Sequence, residues 1–309
     1  MSSLISSLKI GTKIGNGHFG DVFLAEDEVH GKVAVKVLQR ASGESDSGWA
    51  QRKVGLLAEA QLLAKARHPN VVPVYHIVEA DDGESILFCM AFCEGGSLLS
   101  AFKNGPMMLT AVRRVGMEVL LGLQSLHHIP MLHRDIKPGN ILLNAHGTAQ
   151  LADFGLVTDE LILGYGSIAG YSDHIAIEVW TGLVQKGGFA STLKWLPHVP
   201  NRWRRVLRKM MNDDTSARYQ SADQVLSAIS KLPVDLEWEC EVSPARIQWV
   251  RTAKSRKIIV QWDRLAPRRH EWKAWSEPLG KGRKATLGGS QGQIIKSQVI
   301  KDLEDFFEV

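Results

Sequence analysis

The run His133-Arg134-Asp135-Ile136-Lys137-Pro138-Gly139-Asn140, followed by Asp153 in QLADFGL, concentrates groups able to do chemistry. Asp135 is a carboxylate able to accept a hydroxyl proton, and Lys137 a cation able to neutralise a transferring phosphoryl group. Asn140 and Asp153 form an amide–carboxylate pair able to hold Mg²⁺. Upstream, Gly15, Gly17 and Gly20 fall in the pattern G-x-G-x-x-G-x-V. Glycines there let backbone N–H groups approach an anionic phosphate without Cβ clashes. Lys36, in VAVK, and Glu59, in an otherwise apolar stretch, are ordinary taken singly: a snorkelling strand lysine and a solvated carboxylate. Taken together, Glu59 can pair with Lys36 and hold its amine over nucleotide phosphates.

The elements that must position these groups are legible in the patterning. KIGNGHFGDVFLAEDEVHGKVAVKVL alternates apolar residues, is interrupted by glycine and carries a tight-turn signal at His30-Gly31-Lys32, which predicts three short strands. The glycine loop then joins strand to strand, which disfavours a dinucleotide site of the strand-to-helix kind. An exposed loop is expected over Arg40–Gly48. A helix follows, with Leu56, Leu57, Ala60, Leu63 and Ala64 at helical spacing and Pro69 beyond its end. A second helix, from about Ala111 to Leu126, leads into the Asp135 loop.

Taken in order, these motifs resemble the eukaryotic-type (Hanks-type) serine/threonine protein kinases, bacterial versions included, from about Ile10 to Leu232. The resemblance implies an α+β, two-lobed protein-kinase-like fold with a β-rich small lobe and a mainly helical large lobe. On it, Gly15, Gly17 and Gly20 cover the ATP phosphates, and Lys36, paired with Glu59, contacts the α- and β-phosphates. Val22 and Ala34 belong to the ATP site, Met90 gates the back of the adenine pocket, and Ala91 to Cys93 form the hinge whose backbone meets adenine. Asp135 is the catalytic base, Lys137 the γ-phosphate contact, and Asn140 and Asp153 the ligands of Mg²⁺ (or Mn²⁺). Lys137 two places after Asp135 is the serine/threonine rather than the tyrosine pattern. Arg134 resembles kinases tuned by phosphorylation of the activation segment, with Thr158, Ser167 and Ser172 as candidate acceptors.

The chain departs from the family after Asp153. The stretch Gly170 to Glu178 matches the end of an activation segment, but Tyr171, His174 and Ile177 replace the family's threonine, tyrosine and proline. Arg218 matches the arginine that pairs with the segment's glutamate, here Glu178, yet only 40 residues separate the two. The family spends several tens more, on a long apolar helix that crosses the large lobe. A rival alignment starts that helix at Ser172-Asp173 and gives up the Glu178 anchor. On either alignment a stretch is missing, and VWTGLVQKGGF is too glycine-rich to replace a long buried helix.

The 309 residues suffice for two domains. Residues 8–232 are expected to form the kinase-like domain, with a small lobe over 8–90, a hinge at 91–93 and a shortened large lobe over 94–232. Residues 233–309 are expected to form a small β-rich C-terminal module closed by a helix, with Ile295, Val299, Leu303 and Phe306 on one face. Between Arg246 and Lys301, 14 Lys and Arg face 3 Asp and Glu, and the tail holds five of the nine tryptophans. Basic residues interleaved with tryptophan can form a surface for nucleic acid or another polyanion over 246–301; a small core built from inward tryptophans is the favoured reading. Cys89, Cys93 and Cys240 show no metal-ligand spacing, which suits a reducing cytoplasm, and Cys89 and Cys93 are expected in a core or wall. No run is apolar enough to span a bilayer, so no membrane partner is expected.

These features predict a cytoplasmic serine/threonine protein kinase that uses ATP and Mg²⁺ on a protein substrate, with autophosphorylation within its reach. The alternatives are a nucleotide-binding pseudokinase or regulatory scaffold, a small-molecule kinase of related fold, and a nucleic-acid binder driven by the tail.

Overall fold

The computed structural model describes residues 8–17, 20–80, 83–103, 107–129, 133, 135–153, 195–234 and 237–308. They belong to two units, one drawn from Met1–Ala101 and Glu118–Ala176, the other from Phe102–Met117 and Ile177–Val309.

In the first unit, β1 (Leu8–Gly17), β2 (Gly20–Asp27), β3 (Gly31–Gln39), β4 (Val74–Glu79) and β5 (Ser85–Ala91) form one sheet. Its order is β1-β2-β3-β5-β4, antiparallel throughout. The three strands expected around the glycine loop are β1 to β3. β3 is central and covered on both faces, which is why its sequence is a nearly continuous apolar run rather than an alternation. Successive side chains still point to opposite faces. Val33 and Val35 therefore join Ala25 and Cys89 in one cluster, while Leu38 joins Ile86, Phe88, Trp49 and Leu56 in another. Trp49 and Leu56 come from α1 (Asp46–Lys65), so this helix covers the face of β3 that also carries Ala34 and Lys36.

Helix α1 begins inside the loop expected over Arg40–Gly48. The Ser45 hydroxyl accepts the Gly48 N–H at 3.1 Å and the Ser45 carbonyl accepts that of Trp49 at 2.9 Å, an N-cap that starts the helix early. Leu57, expected on the apolar face, is exposed, and Leu56 takes the core position.

After the short α2 (Leu98–Lys103), α3 (Leu109–His128) runs slightly beyond both expected ends. A 3₁₀ turn at Pro138–Asn140 leads into the hairpin of β6 (Ile141–Leu143) and β7 (Ala149–Leu151). β7 is held from two sides. Glu118 of α3 accepts the Ala149 N–H at 2.8 Å, and Asn70 Nδ2 donates to the Ala149 carbonyl at 2.9 Å. Leu151 exchanges backbone bonds with Asn70 and Val72, each 2.9 Å. Gly122 lets α3 approach this seam, since a Cβ there would stand 2.5 Å from the Asn70 carbonyl oxygen.

The second unit contains α4 (Asn201–Met210), α5 (Ala222–Ser230) and a five-stranded antiparallel sheet closed by α6 (Lys296–Glu308). The sheet comprises β8 (Glu239–Val242), β9 (Arg246–Ala253), β10 (Arg256–Ala266), β11 (Arg269–Pro278) and β12 (Ala285–Gly289), in the order β12-β11-β10-β9-β8. Trp238, Trp249, Trp262 and Trp272 lie in its buried core with Val299, Leu303 and Phe307 of α6. The helix face is therefore set by 299, 303 and 307, one turn apart each. Ile295 precedes the helix and is exposed, and Phe306 is only partly buried. The segment before α4 docks on this core: Leu196 packs against it and Trp249 Nε1 donates to His198 Nδ1 at 2.9 Å. No helix among the described residues is long and apolar enough to cross a membrane.

Candidate active site

The Asp135 loop is built around one buried imidazole. His133 is 2% exposed, and the Asp135 N–H points at its Nδ1 at 3.3 Å while Nε2 faces the Ala152 carbonyl at 3.1 Å. A ring that accepts at Nδ1 must carry its proton on Nε2 and donate it to Ala152, so the imidazole is neutral. Burial agrees, lowering the His133 pKa against the smaller raising effects of the Ala152 carbonyl and of Asp135 and Asp153. Ala152 answers from its own N–H, which donates to the Asn140 carbonyl at 2.9 Å. Ala152 thus ties the start and the end of the loop to the strand that delivers Asp153.

Three polar side chains converge within this frame. Lys137 Nζ lies 2.7 Å from Asp135 Oδ2. Asn140 Nδ2 donates to the same Oδ2 at 2.8 Å and to the Asp135 carbonyl at 3.0 Å. Both of these described side-chain bonds fall on Oδ2 and leave Oδ1 to a third group. They also commit the Asn140 amide nitrogen, so its oxygen points elsewhere as an acceptor. Asp153 has φ +54°, a left-handed conformation uncommon for a residue with a side chain, and its carboxylate pairs with Lys36 Nζ. Strain of this kind persists where the surroundings over-determine it. Here Ala152, pinned at both its N–H and C=O, holds the backbone before Asp153, and Lys36 holds its carboxylate.

Lys36 is buried, 4% exposed, and sits opposite Val22 of β2 and Phe88 of β5 in register. Ala34, two residues earlier on the same face, pairs with Met90, and Val33 pairs with Ala91. Gly15 lies opposite Val22 and Gly17 opposite Gly20, so the glycine motif forms the tip of the β1–β2 hairpin. Gly20 has φ +144°, and a Cβ there would stand 2.2 Å from the Val37 carbonyl oxygen. This glycine is dictated by backbone conformation and by the close approach of β3 together. Glu59 lies on α1 one turn beyond Leu56, but its side chain is outside the described residues. Also outside them are Arg134, Thr158, Ser167, Ser172, Glu178 and the departures at Tyr171, His174 and Ile177. Arg218, by contrast, is described, and its Nε donates to the Asn212 carbonyl.

Val72, Leu142 and Ala152, beside the expected Met90, Ala91 and Cys93, carry no polar signal and were missed from sequence. Val72, Cys93 and Ala152 form a buried cluster against which Met90, Ala91 and Leu142 pack. It joins the end of β5 to the β6–β7 hairpin. The Cys93 thiol also donates to Gln150 Oε1 at 3.5 Å, and burial pushes it up to about 11, as it does Cys89 and Cys240. Ala91 spends its N–H on the Pro73 carbonyl at 3.0 Å, and the Cys93 carbonyl accepts from Gly96 at 3.1 Å.

The oxygen donors of Asn140 and Asp153 suit a hard divalent cation, and the glycine hairpin suits a polyphosphate. Comparison with known proteins bears on the same residues. Residues 8–182 match the family described as protein kinase domain. The serine/threonine-protein kinase TOS3 of Saccharomyces cerevisiae is 33% identical over 167 residues, 50% of this chain and 30% of that protein. Mitogen-activated protein kinase kinase kinase kinase 3 of Homo sapiens is 36% identical over 146 residues, 47% of this chain and 15% of that protein. Mitogen-activated protein kinase kinase kinase ANP1 of Arabidopsis thaliana is 38% identical over 152 residues, 48% of this chain and 22% of that protein. The chain therefore spans less than a third of the length of these curated relatives.

Proposed function

Because this chain belongs to the protein kinase domain family, we propose that it is a serine/threonine protein kinase moving the γ-phosphoryl of ATP to a hydroxyl on a protein. The observation that carries the reading is the convergence of Lys137 and Asn140 on Asp135 Oδ2, in a loop locked to Asp153 through Ala152.

Asp135 Oδ1 accepts the proton of the attacking serine or threonine hydroxyl. The new bond runs from that oxygen to the γ-phosphorus while the bond from phosphorus to the ADP oxygen breaks in line. Lys137 neutralises charge on the transferring group, and its bond to Asp135 keeps the carboxylate oriented. Lys36 holds the α- and β-phosphates, with Glu59 as its family partner. The described ion pair of Lys36 with Asp153 keeps both charges in place for that task. Asn140 and Asp153 would hold Mg²⁺ or Mn²⁺, which would supply neutralisation of the phosphate charge. Adenine sits against Ala34, Met90, Ala91, Cys93 and Leu142. The N–H of Ala91 is already committed to Pro73 and takes no part in holding the base. The three free, buried cysteines accord with a reducing, cytoplasmic setting.

The test is incubation of the full chain with γ-labelled ATP and Mg²⁺ beside Asp135→Ala, with the ATP-induced rise in melting temperature measured for both. Label on the wild type alone supports phosphoryl transfer, including to itself. An ATP shift in both with no label on the chain or on a panel of protein substrates would replace this reading by nucleotide binding without transfer.

A further inference from the structure

Asp27, His30 and His76 lie at the hinge-side end of the first sheet, outside the site described above. Asp27 closes β2, His30 lies in the turn to β3, and His76 lies on β4. β2 and β4 are separated by β3 and β5 in the sheet, yet one ligand atom from each of the three residues falls within 4.8 Å of the others. His30 Nδ1 is 3.0 Å from Asp27 Oδ1, and His76 Nε2 is 3.5 Å from Asp27 Oδ2. The carboxylate thus presents one oxygen to each ring, at separations close to the about 3.3 Å that bonds of 2.0–2.1 Å at tetrahedral angles put between ligand atoms.

A second, independent observation singles out the same place. His76 Nε2 is buried and, among the described residues, has no hydrogen-bond partner, although Asp27 Oδ2 stands 3.5 Å away. A buried ring nitrogen without a hydrogen bond calls for a further group, and a cation shared with the Asp27 carboxylate is one that would satisfy both. The surroundings also orient the ligands. The Asp27 side chain is 0% exposed, and its Oδ1 accepts from the Val29 and His30 N–H groups at 2.9 and 2.8 Å. The Tyr75 ring stacks on His30 with centroids 3.9 Å apart and planes 11° from parallel, fixing the imidazole's plane. Outer partners of this sort pre-set a metal site.

We propose that Asp27, His30 and His76 bind a borderline divalent transition-metal ion, Zn²⁺ being the best match to two imidazoles and one carboxylate. Mg²⁺ and Ca²⁺, which prefer oxygen ligands, are not its occupants. The ion displaces the Nδ1 proton of His30 and takes over the link to His76. It clamps the β2–β3 turn to the edge strand β4, where His76 pairs with Cys89 beside Met90. The inference is independent of phosphoryl transfer.

The experiment uses tag-free, chelator-stripped full-length protein. One equivalent of Co²⁺ is followed by its four-coordinate visible absorption, and Zn²⁺ then displaces it. Zn²⁺ at a hundredfold excess over its dissociation constant raises the melting temperature by about 5 °C or more. His30→Ala, on the exposed turn, and His76→Ala each weaken the metal at least tenfold, while the ATP-induced melting shift of the stripped His30→Ala variant stays that of the stripped wild type. Absence of the Co²⁺ band, equal binding by both variants, or the same stabilisation from Mg²⁺ would each overturn the assignment and leave Asp27 as a cap of its own turn.

Discussion

Replacing Gly20 by alanine isolates the backbone constraint at the tip of the β1–β2 hairpin. At φ +144° the added Cβ costs about 1–3 kcal/mol in conformational strain. It would also meet the Val37 carbonyl oxygen at 2.2 Å, with Leu38 Cδ2 at 3.0 Å. A backbone carbonyl in a paired strand cannot rotate aside, so β2 must move off β3 and one ladder bond weakens, at about 1 kcal/mol. The expected loss is about 2–4 kcal/mol, a fall of about 5–10 °C in melting temperature. Val22 and Lys36 face each other across this same ladder, so the ATP-induced shift should fall with the stability.

Two further glycines separate the contributions. Gly31→Ala has φ +68° but no atom within 4 Å of the new Cβ, and should lose only the strain, about 1 kcal/mol. Gly15→Ala brings its Cβ to 3.7 Å from Val22 Cβ, an ordinary contact without positive φ, and should melt with the wild type. Scanning calorimetry of the four proteins checks the order. If Gly20→Ala melts no lower than Gly15→Ala, the close approach of β3 does not constrain the hairpin and the argument fails.

Lys36→Met should abolish labelling and also lower the melting temperature by about 3–10 °C, because removing one member of the ion pair leaves the Asp153 carboxylate, 29% exposed, without its cation, at about 1–3 kcal/mol. Labelling retained by the variant at a temperature where it is folded would make Lys36 a folding rather than a functional residue. Asp135→Asn keeps acceptance at one oxygen for Asn140 but removes the base, and should lower the transfer rate by about 10²–10⁴-fold with ATP binding retained. With thiols near 11, Cys89, Cys93 and Cys240 hold about one thiolate in a thousand at pH 8, so alkylation before unfolding should be very slow by mass spectrometry. His198 is held down to about 4, first by burial and then by Arg204, so the unfolded chain binds the extra proton between pH 6.5 and 4. Stability is complete above pH 6.5 and declines by about 3 kcal/mol as pH falls through that window; His198→Gln should flatten the curve.

The site was legible where its chemistry is local. Asp135, Lys137 and Asn140 are spaced within one turn-rich loop, and the loop folds them onto one carboxylate oxygen. Lys36 and Asp153 lie 117 positions apart, and only the whole ordered set of motifs linked them. Val72, Leu142 and Ala152 escaped because an apolar residue in a pocket wall looks like any other in a core. His133 escaped for a different reason: its part depends on a tautomer, set by one N–H and one carbonyl that no sequence pattern records.

In the second unit the limit is one of charge. Arg202, Arg204 and Arg205 look alike in NRWRRVL, three cations in the first turns of a basic helix. Arg204 alone is buried, 7% exposed, with its guanidinium spread over the carbonyls of Leu196, Pro197 and Val199 and paired with Glu304 of α6. A planar fork with five donors can satisfy four acceptors at once, where a lysine could not. The three carbonyls belong to the irregular segment before α4, where that of Leu196 also accepts the Val199 N–H at 3.0 Å. Arg204 thus substitutes for secondary structure there and ties that segment to α6. Composition counts it among the chain's 37 Lys and Arg, whereas its charge is consumed inside the fold. The tail meets the same limit on its own residues: Arg246 is paired with Asp263, and Trp238, Trp249, Trp262 and Trp272 are spent inward.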